Sequence, residues 1–124
     1  MDSLTYREIK KTLDYSRSSL LGVGPMSKNC VDASIDISND FDVPIMLIAS
    51  RRQIDNERLG GGYVNNWNTT EFADYVMDKD KKGKIILARD HGGPWQNSKE
   101  VDQNFSLRRA MDSAKDSFKS DMDA

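Results

Sequence analysis

The segment Val43-Pro44-Ile45-Met46-Leu47-Ile48-Ala49 is apolar at every position. Apolar and polar residues alternate in a strand that faces water on one side, and this segment does not alternate. Strands without this alternation are usually buried on both faces, as they are in a parallel sheet that is covered by helices. Pro44 is tolerated at the start of a strand. The segment therefore predicts a strand of a parallel sheet that is buried on both of its faces.

Two more apolar runs lie on either side of this strand in the sequence. Leu20-Leu21-Gly22-Val23-Gly24 comes before it, and Lys84-Ile85-Ile86-Leu87-Ala88-Arg89 comes after it. Between the runs lie residues 26–39 and a segment that opens with Asn68-Thr69-Thr70-Glu71, and both have the apolar periodicity of helices. Strands that alternate with helices form a parallel sheet with right-handed crossovers. The predicted fold class is therefore α/β.

Helices are also predicted at both ends of the chain. Thr5 and Glu8 have the spacing of a capping box, which indicates a leading helix over residues 5–16. A long last helix is predicted from about Ser98. Its apolar face, which we expect to be core, consists of Val101, Phe105, Met111, Ala114, Phe118 and Met122.

Composition argues against several classes of partner. The chain has 124 residues, which is the size of one domain. A net charge of −2 and a pI near 5.4 argue against a nucleic-acid binder. No apolar run approaches the ~20 residues of a membrane span. The opening Met1-Asp2-Ser3-Leu4 is acidic where a signal peptide is basic, so we expect a cytoplasmic protein.

The most informative polar segments follow the second and third predicted strands, at residues 50–67 and 90–96. Ligands of parallel sheets bind at the carboxyl ends of the strands. In Asp90-His91-Gly92-Gly93-Pro94, the aspartate is suited to moving a proton, and the imidazole to ligating a metal or polarising a carbonyl. The alternative interpretation is that Asp90 caps a loop and His91 is an exposed turn residue.

The segment after the second strand carries two adjacent cations. Arg51 and Arg52 are candidates for pairing with an anionic substrate. The alternative is that Arg52 pairs with Asp55 or Glu57 on the surface.

A glycine run follows these arginines. The N–H groups of Gly60-Gly61-Gly62-Tyr63 are candidates for holding a phosphate, although the run lacks the Lys-Ser/Thr of a P-loop. Gln53 and Tyr63 are candidates for hydrogen bonds to sugar hydroxyls. The alternative is a flexible hinge at the glycines.

Four segments occur in this order along the chain: Leu20-Leu21-Gly22-Val23-Gly24-Pro25-Met26, Ile48-Ala49-Ser50-Arg51-Arg52-Gln53, Gly61-Gly62-Tyr63 with Thr70-Glu71-Phe72, and Arg89-Asp90-His91-Gly92-Gly93-Pro94. Together they resemble the class II D-tagatose-bisphosphate aldolase non-catalytic subunit family. The resemblance runs from about Leu20 to the C-terminus, and its most specific part is the strand followed by Asp-His-Gly-Gly-Pro together with the upstream Gln and Gly-Gly-Tyr.

The resemblance implies a TIM (β/α)8 barrel, which needs roughly 200–400 residues. Residues 1–124 would then be a single partial domain, the N-terminal portion of the barrel, with a leading helix and connector over residues 1–19 and about three βα units after them. We expect such a partial barrel to be incomplete as an enzyme.

The resemblance also implies a function in the metabolism of sugar phosphates. Asp90 would move a proton and His91 would bind a divalent metal, zinc in the catalytic relatives. The predicted substrate-binding residues, which would contact a phosphorylated ketose, are Arg51, Arg52, Gln53, Gly61, Gly62 and Tyr63. A catalytic aldolase subunit is the implied partner, and the chain is expected to form homo- or hetero-oligomers.

Four possibilities stay open at this point: aldol cleavage, metal-dependent 4-epimerisation of a sugar phosphate or sugar acid, non-enzymatic stabilisation of an aldolase, and a small self-standing α/β binding module. One departure from the family bears on the choice. The family often has Glu-Ala-Thr where the second strand ends, and this chain has Ala49-Ser50-Arg51-Arg52. A carboxylate is lost and two cations are gained, which leaves the substrate undetermined.

Overall fold

A computed structural model describes residues 4–15 and 19–124 of the chain. The elements are α1 (Leu4–Tyr15), β1 (Leu21–Val23), α2 (Lys28–Phe41), β2 (Ile45–Ser50), a short 3-10 helix (Glu57–Leu59), α3 (Thr69–Lys79), β3 (Ile85–Asp90), α4 (Ser98–Asp102) and α5 (Leu107–Asp123). The predicted alternation of strands and helices is confirmed. The proposed capping box of Thr5 and Glu8 concerns side chains outside the described part of the structure.

The strands form one parallel sheet in the order β1-β2-β3. In the β1–β2 pair, Leu21 lies opposite Ile45. The β2–β3 pair runs from Ile45 opposite Ile85 to Ser50 opposite Asp90. This confirms the predicted parallel arrangement, and neighbouring strands in the sheet are also consecutive in the sequence. It also confirms that the segments after β2 and β3 leave the sheet at one common edge.

The two faces of β2 are buried to different extents. Ile45, Leu47 and Ala49 are buried on the face that packs against the helices, whereas Met46 and Ile48 on the other face are half-buried. The predicted burial of β2 on both faces is therefore complete on the first face and partial on the second. The core beneath the first face also includes Val31, Ile35, Ile54, Val64, Trp67, Phe72, Val76 and Ile85.

The predicted long last helix is interrupted between α4 and α5. Asn104 has a left-handed backbone with φ 49°, and the side chain of Ser106 then caps α5 by accepting from the N–H of Arg109 at 3.3 Å. A new N-cap starts a new helix, because it satisfies a backbone N–H that has no partner within the first turn.

The apolar face expected to make α5 part of the core is largely exposed. Phe118 is 47% exposed and Met122 is 80% exposed, whereas Ala110, Ala114 and Ser117 are buried. Small residues at this spacing let α5 pack closely on its neighbours, and the large side chains lie beside the contact. The assignment of Val101, Met111, Phe118 and Met122 to the core is therefore wrong. Phe105 and Ala114 are buried as predicted.

The architecture is thus α/β, with a small parallel sheet that has α2 and α3 packed on one of its faces. Within the described residues, no helix is both long enough and apolar enough to cross a membrane.

Candidate functional site at the carboxyl edge of the sheet

Asp90 and His91 lie at the carboxyl edge of the sheet and face solvent. Asp90 ends β3 opposite Ser50, the last residue of β2. The side chains of Asp90 and His91 are 56% and 65% exposed. Asp90 Oδ1 accepts a 2.8 Å hydrogen bond from the backbone N–H of His91, and Asp90 Oδ2 lies 3.5 Å from His91 Nε2. One carboxylate oxygen caps the turn while the other lies beside an accessible imidazole.

The two glycines after His91 have different surroundings. A Cβ on Gly92 would lie 2.4 Å from Cζ of Phe118, so the missing side chain lets this ring of α5 pack on the turn. A Cβ on Gly93 would meet nothing within 4 Å. The sequence predicts that both glycines make room for a ligand or a tight turn. Gly92 makes room for Phe118, and Gly93 borders open space.

Arg51 is fully buried, and other groups of the protein accept hydrogen bonds from its guanidinium. Nε donates to Asp55 Oδ2 at 3.0 Å, Nη1 to the carbonyl oxygen of Gly93 at 2.8 Å, and Nη2 to Glu100 Oε1 at 2.5 Å. The side chains of Arg51, Asp55 and Glu100 have no exposed surface. Contact between Arg51 and a substrate would require these bonds to break, so in this structure Arg51 ties the two loops of the edge together.

Asp55 is the centre of the same buried network. Besides the bond from Arg51, its carboxylate accepts from Asn97 Nδ2 at 2.8 Å, from Ser117 Oγ at 2.7 Å and from the N–H of Asn56 at 2.8 Å. Burying a charge is costly unless the charge is paired and hydrogen-bonded. Asp55 meets that condition with four donors, so the network fixes the loops on a buried, polar base.

Glu100 completes the network and was missed by sequence reasoning. Its Oε1 accepts from Arg51, which is 49 positions away, and its Oε2 accepts from the N–H of Trp95 at 2.6 Å. A partner so distant leaves no local pattern. A weak signal did exist for Asp55, because it lies four positions after Arg51. The sequence assigned Asp55 to Arg52 as an alternative partner, and the structure pairs it with Arg51.

Arg52 and Gln53 differ from Arg51 in their accessibility. The Arg52 side chain is exposed and makes no hydrogen bond or ion pair within residues 4–15 and 19–124. Gln53 is half-buried, and its Oε1 accepts from the N–H of Ser50 at 2.8 Å. Of the predicted substrate-binding residues in this segment, Arg52 is therefore the one whose cationic group is both accessible and available.

The glycine run is a packed turn. The N–H groups of Gly60, Gly61 and Gly62 donate to the carbonyl oxygens of Glu57, Asn56 and Trp67 at 2.9, 3.1 and 3.0 Å. These donors are therefore already used, and none of them is available to a phosphate in this conformation. A Cβ on Gly62 would lie 1.9 Å from the carbonyl oxygen of Gln53, so this position packs directly against backbone.

A cleft of about 240 Å³ brings several predicted residues together. The lining includes the predicted residues Arg51, Arg52, Gly61, Gly62 and Tyr63, together with Lys99. The lining does not include Asp90 or His91. The structure thus divides the predicted site into an exposed Asp-His turn and a separate cleft, and the hydrogen bond from Arg51 to Gly93 joins the loops that carry them.

The side chains near His91 do not amount to a complete metal site. A catalytic zinc ion normally has about three protein ligands. The described residues contain no group of three or more His, Cys, Asp or Glu side chains placed to hold a metal. Asp90 and His91 provide one carboxylate and one imidazole.

Comparison with protein-family models, with curated proteins and with solved structures found no match. The function is therefore argued from the two parts of the edge, the Asp-His turn and the cleft.

Proposed function

We propose that the chain is part of a parallel (β/α)8-type barrel that acts on a phosphorylated ketose, as the resemblance to the tagatose-bisphosphate aldolase non-catalytic subunit family implies. One observation carries the proposal: Asp90 and His91 stand exposed at the carboxyl edge, in register with the end of β2. Barrel enzymes place their reacting groups at that end of their strands. The half-buried apolar residues Met46 and Ile48 on the second sheet face also suit a barrel interior.

In the proposed reaction Asp90 moves a proton and His91 polarises a carbonyl. The Asp90 carboxylate takes the proton of the hydroxyl on the carbon β to the ketone, and the bond between the α and β carbons breaks. The electron pair passes to the ketone oxygen as an enolate, which an imidazole N–H of His91 stabilises by a hydrogen bond. The α carbon of the enolate then takes up a proton from the protonated Asp90, which restores the carboxylate. Both side chains are accessible enough for this role without rearrangement of the fold.

Arg52 supplies the cationic contact to the substrate in this proposal, and Arg51 acts as a positioning residue. The guanidinium of Arg52 is exposed and without a partner in the described part of the chain. Arg51 instead holds the carbonyl of Gly93, three positions from Asp90. Gln53 and Tyr63 remain candidates for hydrogen bonds to the sugar, and Gly61 and Gly62 shape the loop that carries Tyr63.

A divalent metal, zinc by resemblance, would polarise the same carbonyl when bound at His91. The described residues near His91 do not form a set of three ligands, so they do not fit such an ion by themselves. No step of the proposed reaction therefore passes through a metal.

A supporting subunit without activity of its own is the second candidate. Large apolar side chains are exposed on the described surface, among them Met26 at 69%, Phe41 at 73% and Met77 at 65%. Exposed apolar patches often mark contacts with other chains. An aldolase subunit or a second copy of this chain is the partner that the resemblance implies.

The test is turnover of ketose bisphosphates by the purified full-length protein that contains this chain, without a partner. Appearance of a triose phosphate reports aldol cleavage, and appearance of the 4-epimer in the same samples reports epimerisation. Asp90→Asn keeps the shape of the side chain but removes the base, and we expect turnover to fall about 10²-fold or more. Asp78→Asn is the matched control, because Asp78 is an exposed residue of α3.

The outcomes separate the candidates. If Asp90→Asn and His91→Gln both turn over at the wild-type rate, the assignment of the Asp-His turn is wrong. If the wild-type full-length protein has no activity but prolongs the half-life of an aldolase at a given temperature, the supporting role is favoured over catalysis.

A further inference from the structure

The cleft beside the glycine run has no carboxylate in its lining. We call it the basic cleft, and its accessible polar side chains are those of Arg52, Tyr63, Ser98 and Lys99. This composition is unusual for a chain that has 20 Asp and Glu against 18 Lys and Arg. The larger cleft beside α3 and α5, of about 470 Å³, contains four acidic residues: Glu57, Glu71, Asp116 and Asp123.

A buried ion pair, Arg51 with Glu100, joins the two chain segments that carry the cations of the basic cleft. Arg52 directly follows Arg51, and Lys99 directly precedes Glu100. Since Arg51 Nη2 and Glu100 Oε1 lie 2.5 Å apart, the chain segments that carry Arg52 and Lys99 are fixed to one another, and both residues line the cleft. The site is therefore built on a rigid base, although both cationic side chains reach solvent.

Both cations retain hydrogen-bond donors. The guanidinium of Arg52 has no partner within the described residues. Lys99 Nζ donates to the carbonyl oxygen of Arg58 at 3.3 Å, which uses one of the three N–H groups of an ammonium. The exposed residues Tyr63 and Ser98 each add a hydroxyl. The cleft thus combines two positive charges with several hydrogen-bond donors, and no carboxylate lines it.

We propose that the basic cleft binds a dianionic phosphate group, with Arg52 and Lys99 as its cationic ligands and the hydroxyls of Tyr63 and Ser98 as further donors. The identification of this phosphate as a group of the sugar substrate rests on the proposed function. The anion site itself rests on the arrangement of the cleft. Side chains make all the proposed contacts, because the glycine N–H groups are bonded to carbonyls.

The experiment titrates the purified 124-residue chain with inorganic phosphate at constant ionic strength and in the presence of a metal chelator. Constant ionic strength is needed because salt screens exposed charges. Backbone amide NMR shifts report the binding site, and calorimetry reports the affinity. We expect saturable binding, with shifts at residues 52, 60–63 and 98–99. Arg52→Gln and Lys99→Gln should each weaken binding about tenfold, and the double variant should abolish saturation.

Two further variants sharpen the result. Arg108→Gln removes a cation from α5 outside the cleft and should bind phosphate as the wild type does. Ser98→Asp places a carboxylate in the cleft and should abolish binding by repulsion. Thermal melts are needed to check that each variant remains folded.

The proposal is overturned if the wild type shows no saturable binding, or if Arg52→Gln and Lys99→Gln bind phosphate as tightly as Arg108→Gln does. This failure is distinguishable from failure of the proposed reaction. Phosphate binding needs neither Asp90 nor a metal, so Asp90→Asn should lose turnover and retain phosphate binding.

Discussion

Arg51 Nη1 donates a 2.8 Å hydrogen bond to the carbonyl oxygen of Gly93, and this bond connects the loop after β2 to the turn after β3. The two residues are 42 positions apart in the chain. Gly93 follows the Asp-His pair by two residues, and Arg51 precedes Arg52 by one. The bond therefore couples the position of the exposed Asp-His turn to the position of the basic cleft.

Arg51→Met should destabilise the chain by about 3–5 kcal/mol, because it leaves Asp55 and Glu100 as buried carboxylates without their cation. The free energy of unfolding from urea titration measures the change. Arg108→Met, at an exposed position, is the matched control and should change it by less than about 0.5 kcal/mol.

The double variant Arg51→Met/Glu100→Gln should recover part of that loss, because it removes one of the two uncompensated charges. A loss below about 1 kcal/mol in Arg51→Met would contradict the central role of this ion-pair network, since breaking a buried pair normally costs more.

Gly62 and Gly93 both lie in loops at the carboxyl edge of the sheet, but their surroundings differ. Gly62→Ala places a Cβ 1.9 Å from the carbonyl oxygen of Gln53, whereas Gly93→Ala places one in open space. Overpacking against backbone costs about 1–3 kcal/mol or more, so Gly62→Ala should lower the melting temperature clearly. Gly93→Ala should leave it within a degree or two. Equal melting temperatures would indicate that residues 60–63 form the flexible hinge that the sequence left open.

The sequence predicted the sheet well because one strand is encoded without ambiguity. The unbroken apolar run from Val43 to Ala49 predicts an interior parallel strand, and β2 is the central strand. The burial of its second face was not predictable in the same way. Whether Met46 and Ile48 are covered depends on elements other than this strand, and the run itself carries no information about them.

Residues of the candidate site were predictable in kind but not in role. Arg51 and Arg52 are identical in type and adjacent in sequence, yet one is fully buried and the other is exposed. The difference comes from Glu100, whose partnership with Arg51 is a tertiary contact. Similarly, nothing local indicates that Gly62 packs on Gln53 or that Gly92 packs on Phe118. Contacts of this kind can be assigned only from distances in the folded structure.

The open edge of β3 should make the chain self-associate. β3 lies at the edge of the sheet, and Leu87 at its centre is 41% exposed. Unpaired edge strands recruit other chains, and lysine on an edge strand opposes this. We expect wild-type elution in size exclusion to depend on concentration in the micromolar range, and Leu87→Lys to shift the chain toward monomer.

Met122→Lys is the control for that comparison, because it also replaces an exposed apolar residue but lies on α5. It should leave association unchanged. A sharp wild-type monomer peak together with a cooperative melt would contradict edge pairing and would favour a self-standing α/β module over a portion of a barrel.

Asp32 should make stability depend on pH in the acid range. Asp32 accepts from Lys28 Nζ at 2.7 Å and from the hydroxyl of Tyr75, which joins α2 to α3. These hydrogen bonds, with that from Lys28 the larger, hold the pKa of Asp32 below its ordinary value. Above the unfolded pKa of about 3.9 the stabilisation is fully present. As the pH falls below that value the unfolded chain takes up the proton first, so this stabilisation is lost.

Asp32→Asn should therefore flatten the fall in the free energy of unfolding between pH 5 and pH 3, measured by urea titration at each pH. Asp36→Asn is the matched control, because Asp36 is exposed on the same helix and has no hydrogen bond or ion pair within the described residues. Its curve should run parallel to that of the wild type. Tyr75→Phe removes the second donor to Asp32 and should flatten the curve less than Asp32→Asn does, since Lys28 makes the larger contribution. Identical slopes for wild type and Asp32→Asn would mean that the contact between α2 and α3 does not depend on this carboxylate.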